Sequence, residues 1–225
     1  MKKNGLRVNR VGFATRGGCR LAEEDIRRVL DSGIDFLNWC GHPDALSRTI
    51  ARLGPRRRDV TICVQFDART ALAAEAELHA ILTELGTDYI DAITFYYVES
   101  RSEWEQIIGP SGAYEFCDKA KQHGKIRFIG LTTHQRWLAA ETVQSGLLDL
   151  LMIRYNAAHR GAEKEVFPIT DRLGIPRSRL YLPSLGGALE ANSRRSTGIR
   201  RSQCAGMVSF RTGIAVGIGC SDGTE

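Results

Sequence analysis

Two histidines, His42 and His134, each follow closely on an apolar run, in DFLNWCGH and in IRFIGLTTH. Histidine changes its charge near neutral pH, so either one is a candidate for proton transfer. The alternative is a loop histidine held by local hydrogen bonds. Cys40 could be a nucleophile if its pKa were lowered, or a small buried cysteine at a strand end. Cys40, His42, His134 and His159 lack metal-ligand spacing, so the sequence predicts no metal site.

Two arginines near the end of the later apolar run LLMIRYN are a second group of candidate residues. Arg154 ends this run, and Arg160 stands six residues further on. A guanidinium binds carboxylate or phosphate groups well, so both could meet an anionic substrate. The alternative for an arginine here is a salt bridge to Glu163 or Glu99.

These side chains are spaced along a repeating pattern of an amphipathic helix, a glycine and an apolar strand. EEDIRRVLDSG, PDALSRTIARLG and AEAELHAILTELG have helical periodicity and end in glycine, which favours the left-handed conformation just after a helix. The strands read as continuous apolar runs, which is typical of parallel sheets buried on both faces. Six such units precede residue 175. The pattern therefore predicts an α/β protein with right-handed βαβ connections.

Two architectures fit this pattern, a doubly wound open sheet and a (β/α)8 barrel. VGFATRGG stands after the first strand where a dinucleotide fingerprint would be GxGxxG, and no Walker motif occurs. Both absences favour the barrel slightly. Barrel active sites lie at the carboxyl ends of the strands, where His42, Tyr96 and His134 would meet.

Charge and cysteine usage limit the partners and the compartment. The net charge is +5, but residues 177–225 carry seven arginines against three acidic side chains, so the first 176 residues are nearly neutral. This distribution predicts no nucleic-acid partner for the body of the chain. Six scattered cysteines, no signal region and no long apolar run predict a cytoplasmic protein with reduced thiols and no membrane partner.

Four ordered motifs resemble those of the aldo-keto reductase family. They are SGIDFLNWCGHPD, LGTDYIDAITFYYVES, HGKIRFIGLTTH and LLMIRYNAAHRGAE, which look like that family's second-, fourth-, fifth- and sixth-strand segments. The resemblance covers residues 5 to 176. It implies a (β/α)8 barrel, NADP or NAD as cofactor, and a small carbonyl or alcohol as substrate.

The family's four catalytic positions are all substituted in this chain. The resemblance places the aspartate at Asn38, the acid tyrosine at Pro43, the lysine at Gln65 and the histidine at Tyr96. Proline has no proton to give and glutamine has no charge with which to tune a neighbour. Loss of general acid catalysis typically costs about 10² to 10⁴ in rate. Tyr96, which can still hydrogen-bond a substrate oxygen, and His42 are the remaining catalytic candidates.

The resemblance also indicates where a cofactor would bind. Thr132 and Thr133 stand where the family's Ser-Asn pair holds the nicotinamide amide, and Thr15 ends the first strand. Hydroxyl groups can make part of that contact. These three threonines are the candidate cofactor residues.

Residues 177–225 differ from the rest and form a second predicted segment, a basic tail rich in Arg, Ser and Gly. RLYLPSLGGA can be back-translated into another reading frame as Val-Ala-Phe-Thr-Cys-Leu-Arg-Trp-Gly-Ala, a plausible seventh strand of the family. One hypothesis is therefore a frameshift product, and the other is a functional basic arm. With residues 1–176 as an incomplete barrel of about six units, two open sheet edges and self-association are expected.

The sequence therefore predicts an NAD(P)-linked oxidoreductase of the aldo-keto reductase type with an altered or impaired site. The alternative is a non-catalytic barrel, a pseudoenzyme that retains a small-molecule or cofactor pocket.

Overall fold

The computed structural model describes residues 11–15, 21–156, 159–180 and 205–210, with backbone alone for 179–180 and 205–210. Seven strands run parallel to their neighbours and form a curled sheet. They are β1 (Val11–Thr15), β2 (Phe36–Trp39), β3 (Thr61–Phe66), β4 (Ile90–Phe95), β5 (Ile126–Thr133), β6 (Leu150–Arg154) and β7 (Arg177–Leu180).

Helices connect these strands and cover the outside of the sheet. They are α1 (Glu23–Asp31), α2 (Ala45–Ala51), α3 (Ala71–Leu85), α4 (Arg101–Ile108), α5 (Ala113–Gln122), α6 (Arg136–Thr142), α7 (Ala162–Glu165) and α8 (Phe167–Leu173), with 3-10 turns at Gly54–Asp59 and Val143–Ser145. The predicted glycine stops are confirmed where they cap a helix, since Gly86 and Gly174 both have left-handed backbone after α3 and α8. Within the described ranges, no helix has the length and apolar character needed to span a bilayer.

The fold is that of an incomplete (β/α)8 barrel, as predicted, but its edges are not open. An eighth strand, β8 (Ala205–Phe210), pairs antiparallel with both β1 and β7 and closes the barrel. The prediction of two exposed sheet edges is therefore wrong. The short apolar stretch AGMVSF supplies the missing backbone partners even though no helix–strand unit precedes it in the sequence pattern.

Both β7 and β8 lie in the segment predicted to be an atypical tail. Arg177, the first residue of β7, is 6% exposed, which is unusual for an arginine. Its guanidinium donates to the Phe167 carbonyl at 2.8 Å and the Thr170 hydroxyl at 2.5 Å, and it pairs with Asp171 at 3.1 Å. The rest of residues 181–225 lies outside the described residues, and the division of the chain at residue 176 stays a prediction.

The side chains of the sheet separate into an outer core and a barrel interior. The large outer core joins strands to helices, while a smaller cluster contains Ala14, Cys63, Ala92 and Met152. Register partners on parallel strands project from the same face, and Cys63 is paired with both Asn38 and Ala92. The smaller cluster therefore marks the barrel interior. Side chains in register with its members, such as Asn38, also face this interior.

A buried ion-pair group fixes the outer wall at the beginning of β4. Asp91 is 1% exposed and accepts from Arg127 at 2.8 Å and from the Ile62 N–H at 3.0 Å. Arg57 lies 2.8 Å from the same carboxylate and stacks over the Tyr89 ring. These contacts compensate the buried charge and fix β3 and β4 in register.

Candidate active site

Three polar side chains face the barrel interior without a hydrogen-bond partner among the described residues. They are Asn38 on β2, Thr132 on β5 and Ser178 on β7, and each is at most 3% exposed. Register places Thr132 beside Met152 and Met152 beside Ser178, so Thr132 and Ser178 lie in the same row of interior side chains. Buried polar groups normally have a partner, so this interior retains hydrogen-bonding capacity for a small polar molecule.

The structure distributes the four positions that the resemblance assigns to the family's catalytic residues over the interior and the rim. Asn38 is buried inside the barrel, and Gln65 is half-buried beside Thr94 on the same face. Pro43 is exposed on the loop after β2. Tyr96 directly follows β4 and is half-buried at the rim, where its carbonyl accepts from Arg69 at 2.7 Å.

The loop containing His42 is held by backbone contacts. The Trp39 indole donates to the His42 carbonyl at 2.9 Å, and the Asp44 carboxylate caps α2 by accepting from the Ser47 N–H at 2.9 Å. The His42 side chain is exposed at this rim. Its part in proton transfer stays a prediction.

The Cys40 thiol does not have the properties of an activated nucleophile. Burial raises its pKa and outweighs the opposing contact with the His42 backbone; the negative charge of Asp44 adds to the rise, and the Thr15 hydroxyl opposes it. A nucleophilic cysteine requires a lowered pKa. The structure therefore favours the alternative, a half-buried cysteine at the end of β2.

The two threonines at the end of β5 have different surroundings. The hydroxyl of Thr132 faces the interior and has no partner within the described part of the chain. The hydroxyl of Thr133 lies on the opposite face, accepts from the Gln135 N–H at 3.0 Å and donates to Glu99 at 3.4 Å. Of the predicted pair, Thr132 alone is positioned toward the barrel interior.

Thr15 lies on the face of β1 opposite to Ala14, which belongs to the interior cluster. It is 4% exposed and approaches the Cys40 thiol without making a hydrogen bond of normal geometry. The structure does not bring Thr15 onto the same face as Thr132. Its contact with a cofactor stays a prediction.

Glu99 organises the loop after β5. Its carboxylate accepts from the His134 N–H at 2.7 Å and from the Gln135 side chain at 2.9 Å. The His134 ring packs edge-on against Tyr97, with ring centroids 4.8 Å apart. Tyr97 has a φ of 54°, and a positive φ is a strained conformation for an aromatic residue. Its side chain is 47% exposed.

The pKa of His134 is lowered, chiefly because burial disfavours its charged form. The Glu99 carboxylate opposes this effect, whereas the positive charge of the nearby Arg154 adds to it. Neutral imidazole is therefore the dominant form at pH 7, and it can accept a proton. His134 remains a candidate for proton transfer in this position.

The two arginines after β6 have different partners. Arg160 forms the predicted salt bridge to Glu163, with contacts of 3.1 and 3.0 Å. Arg154 instead donates to the ring nitrogen Nε2 of His159 at 2.8 Å. The spacing of three residues along the chain signals the first contact, while the second depends on a turn that the sequence pattern does not reveal.

Comparison with known proteins agrees with the architecture. The sequence model of the aldo/keto reductase family matches residues 20–212. The chain belongs to the aldo-keto reductase family. An uncharacterized oxidoreductase of Bacillus subtilis, YrpG, is 25% identical over an alignment 243 residues long, which covers 92% of this chain and 72% of that protein.

Solved structures of the family show the same fold. An aldo-keto reductase of Bacillus halodurans, in its holo form, superposes with a TM-score of 0.64 at 21% identity and covers 83% of this chain and 70% of its own. A second structure, from Pseudomonas aeruginosa, gives a TM-score of 0.58 at 20% identity, covering 76% of this chain and 70% of that one. The family membership confirms the resemblance seen in the four motifs.

Proposed function

We propose that this aldo-keto reductase-family oxidoreductase binds NADP or NAD and a small carbonyl or alcohol, with impaired proton transfer. The observation that carries the proposal is the set of buried, unpartnered polar groups facing the barrel interior, Asn38 and Thr132 above all. Each buried polar group that lacks a partner destabilises the fold by about 1–3 kcal/mol. Their presence in the interior is therefore best explained by a polar ligand that bonds them.

The residues of β5 fit the nicotinamide end of such a cofactor. Thr132 is 3% exposed and its hydroxyl is buried and unpartnered among the described residues, so it can bond the carboxamide. The Thr133 hydroxyl is already engaged with Glu99 and Gln135 and contributes by holding the loop. A bound nicotinamide supplies or accepts a hydride. The family's contacts to the phosphates and adenine follow β7, outside the described residues.

Proton transfer in this site lacks its ordinary donor. Pro43 carries no proton, and the Gln65 amide cannot lower the pKa of a neighbour by charge. Tyr96, half-buried at the rim, can donate a hydrogen bond to a substrate oxygen and so polarise it. We therefore expect carbonyl reduction about 10²- to 10⁴-fold slower than acid-catalysed reduction.

The alternative is a non-catalytic barrel that retains a small-molecule pocket. The same substitutions favour it, since Asn38, Pro43 and Gln65 are all non-ionisable. Either function is compatible with a cytoplasmic enzyme or binding protein, the compartment that the scattered cysteines predict.

Restoring the ionisable groups tests the proposal. Reduction of a panel of small aldehydes by NADPH should be slow in the wild type and faster in Asn38→Asp/Pro43→Tyr/Gln65→Lys. Gln65→Lys alone serves as the control and should gain little, because the acid is still missing. Fast wild-type turnover that the triple variant does not improve would refute the proposal that proton transfer is impaired. If the wild-type protein binds neither NADP nor NAD, the non-catalytic barrel is the function that is left.

A further inference from the structure

Arg154 stands at the mouth of the barrel, at the carboxyl end of β6. Met152, two residues earlier, belongs to the interior cluster, so Arg154 projects from the same face one step closer to solvent. Its side chain is exposed at this rim. The guanidinium therefore lies where a substrate would enter.

Among the residues that the structure describes, no carboxylate lies within 4.0 Å of the Arg154 guanidinium. Most arginines whose side chains the structure describes form an ion pair within 4.0 Å of a described residue, and those that do not are Arg58, Arg154 and Arg172. Arg58 and Arg172 lie in helical segments on the outside of the barrel. The two carboxylates that the sequence offered as partners are engaged elsewhere, Glu99 by the loop after β5 and Glu163 by Arg160.

His159 positions this guanidinium. A guanidinium can only donate hydrogen bonds, so the His159 Nε2 atom, 2.8 Å away, must accept. The imidazole is then neutral and orients Arg154 without cancelling its charge. The backbone N–H of His159 donates to the backbone and side-chain oxygens of Asn156, each at 3.0 Å, which fixes the turn.

The positive charge of Arg154 also acts on the loop after β5. It contributes to the lowered pKa of His134, after the larger effect of burial. Deeper in the barrel, the Thr132 hydroxyl is buried and unpartnered among the described residues. A cation at the rim and an unsatisfied hydroxyl below it form two separate points of recognition for one polar ligand.

We propose that Arg154, positioned by His159, binds an anionic group, a carboxylate or a phosphate, of the small molecule that enters this barrel. That the molecule is a redox substrate rests on the proposed function. The anion site itself does not, because it depends on the Arg154–His159 geometry alone. Two sources of the anion are distinguishable, a substrate carboxylate and a phosphate of the cofactor.

The test uses calorimetric titration of the full-length protein with benzoate, with neutral benzamide as the probe of equal shape and with inorganic phosphate, all at one fixed ionic strength. Arg154→Ala should weaken benzoate and phosphate binding by about tenfold or more, as expected for a charge-assisted hydrogen bond. Arg160→Ala is the matched control and should change the affinity less than about threefold, because Arg160 is paired with Glu163. His159→Phe should weaken benzoate binding although Arg154 is kept.

Equal affinities for benzoate and benzamide, no measurable binding of either anion, or no effect of Arg154→Ala would each overturn the proposal. A repeat titration in the presence of saturating NADPH assigns the anion: competition points to a cofactor phosphate, and undiminished benzoate binding points to a substrate carboxylate. If NADPH does not bind at all, the proposed function fails, while the benzoate titration still decides the anion site.

Discussion

The indole N–H of Trp39 donates a hydrogen bond to the backbone carbonyl of His42 across 2.9 Å. This contact ties the end of β2 to the loop in which the family's acid tyrosine would stand and in which Pro43 stands instead. Trp39 is 1% exposed, so the anchor is part of the core. The loop therefore keeps a defined backbone although proline occupies the position that the resemblance gives to the acid tyrosine.

Replacing Trp39 by phenylalanine should destabilise the protein by about 1–3 kcal/mol, because the hydrogen bond is lost and a cavity remains. Chemical denaturation measures this as a lower midpoint. His42→Ala is the matched control, since it keeps the accepting carbonyl and removes an exposed ring, and it should stay within about 0.5 kcal/mol of the wild type. Equal stability of Trp39→Phe and the wild type would show that the anchor contributes nothing.

The two neighbouring threonines of β5 should respond oppositely to valine. Thr132→Val removes a buried hydroxyl without a partner in the described structure, so the cofactor-free protein should be as stable or about 1 kcal/mol more stable. Thr133→Val breaks contacts to Glu99 and Gln135 and should cost about 1–2 kcal/mol. Urea unfolding of both variants checks the prediction. Destabilisation of similar size in both would mean that the Thr132 hydroxyl has a structural partner.

Acidification should weaken the fold through His134. Its pKa is lowered in the folded state, first by burial, so the unfolded chain binds a proton more readily. The stabilising contribution is therefore complete above the unfolded pKa of about 6.5 and is lost as the pH falls through the folded pKa. Between pH 7.5 and 5.5, wild-type protein should lose more stability than His134→Gln. The exposed His79 provides the control, because His79→Gln should follow the wild type.

Much of the fold was predictable because its signals are local. Glycine stops and apolar runs marked β1 to β6, and the Arg160–Glu163 pair follows from a spacing of three residues. The role of β8 was not predictable, because AGMVSF pairs only where two distant strands leave a gap. In the site, alternation along β5 separates Thr132 from Thr133, but the engagement of Glu99 by the loop of His134 depends on tertiary packing.

The buried Arg177 bears on the origin of the residues after 176. None of the strands β2 to β6 begins with a charged residue, so a buried arginine at the start of β7 is what a change of reading frame near this point predicts. We predict that the gene, sequenced around the codon for Pro176, contains an inserted or deleted nucleotide relative to the frame that encodes Val-Ala-Phe-Thr-Cys-Leu-Arg-Trp-Gly-Ala. An uninterrupted frame in independent clones would refute the frameshift and favour the basic arm.

The most direct test of the central claim is a fluorescence titration of the purified protein with NADPH, repeated with Thr132→Val. A nicotinamide pocket that survives the loss of the acid predicts saturable binding to the wild type. The variant should bind about 3- to 10-fold more weakly, the value of one hydrogen bond. No saturable signal up to about 1 mM cofactor, which corresponds to a binding free energy weaker than about −4 kcal/mol, would contradict the account.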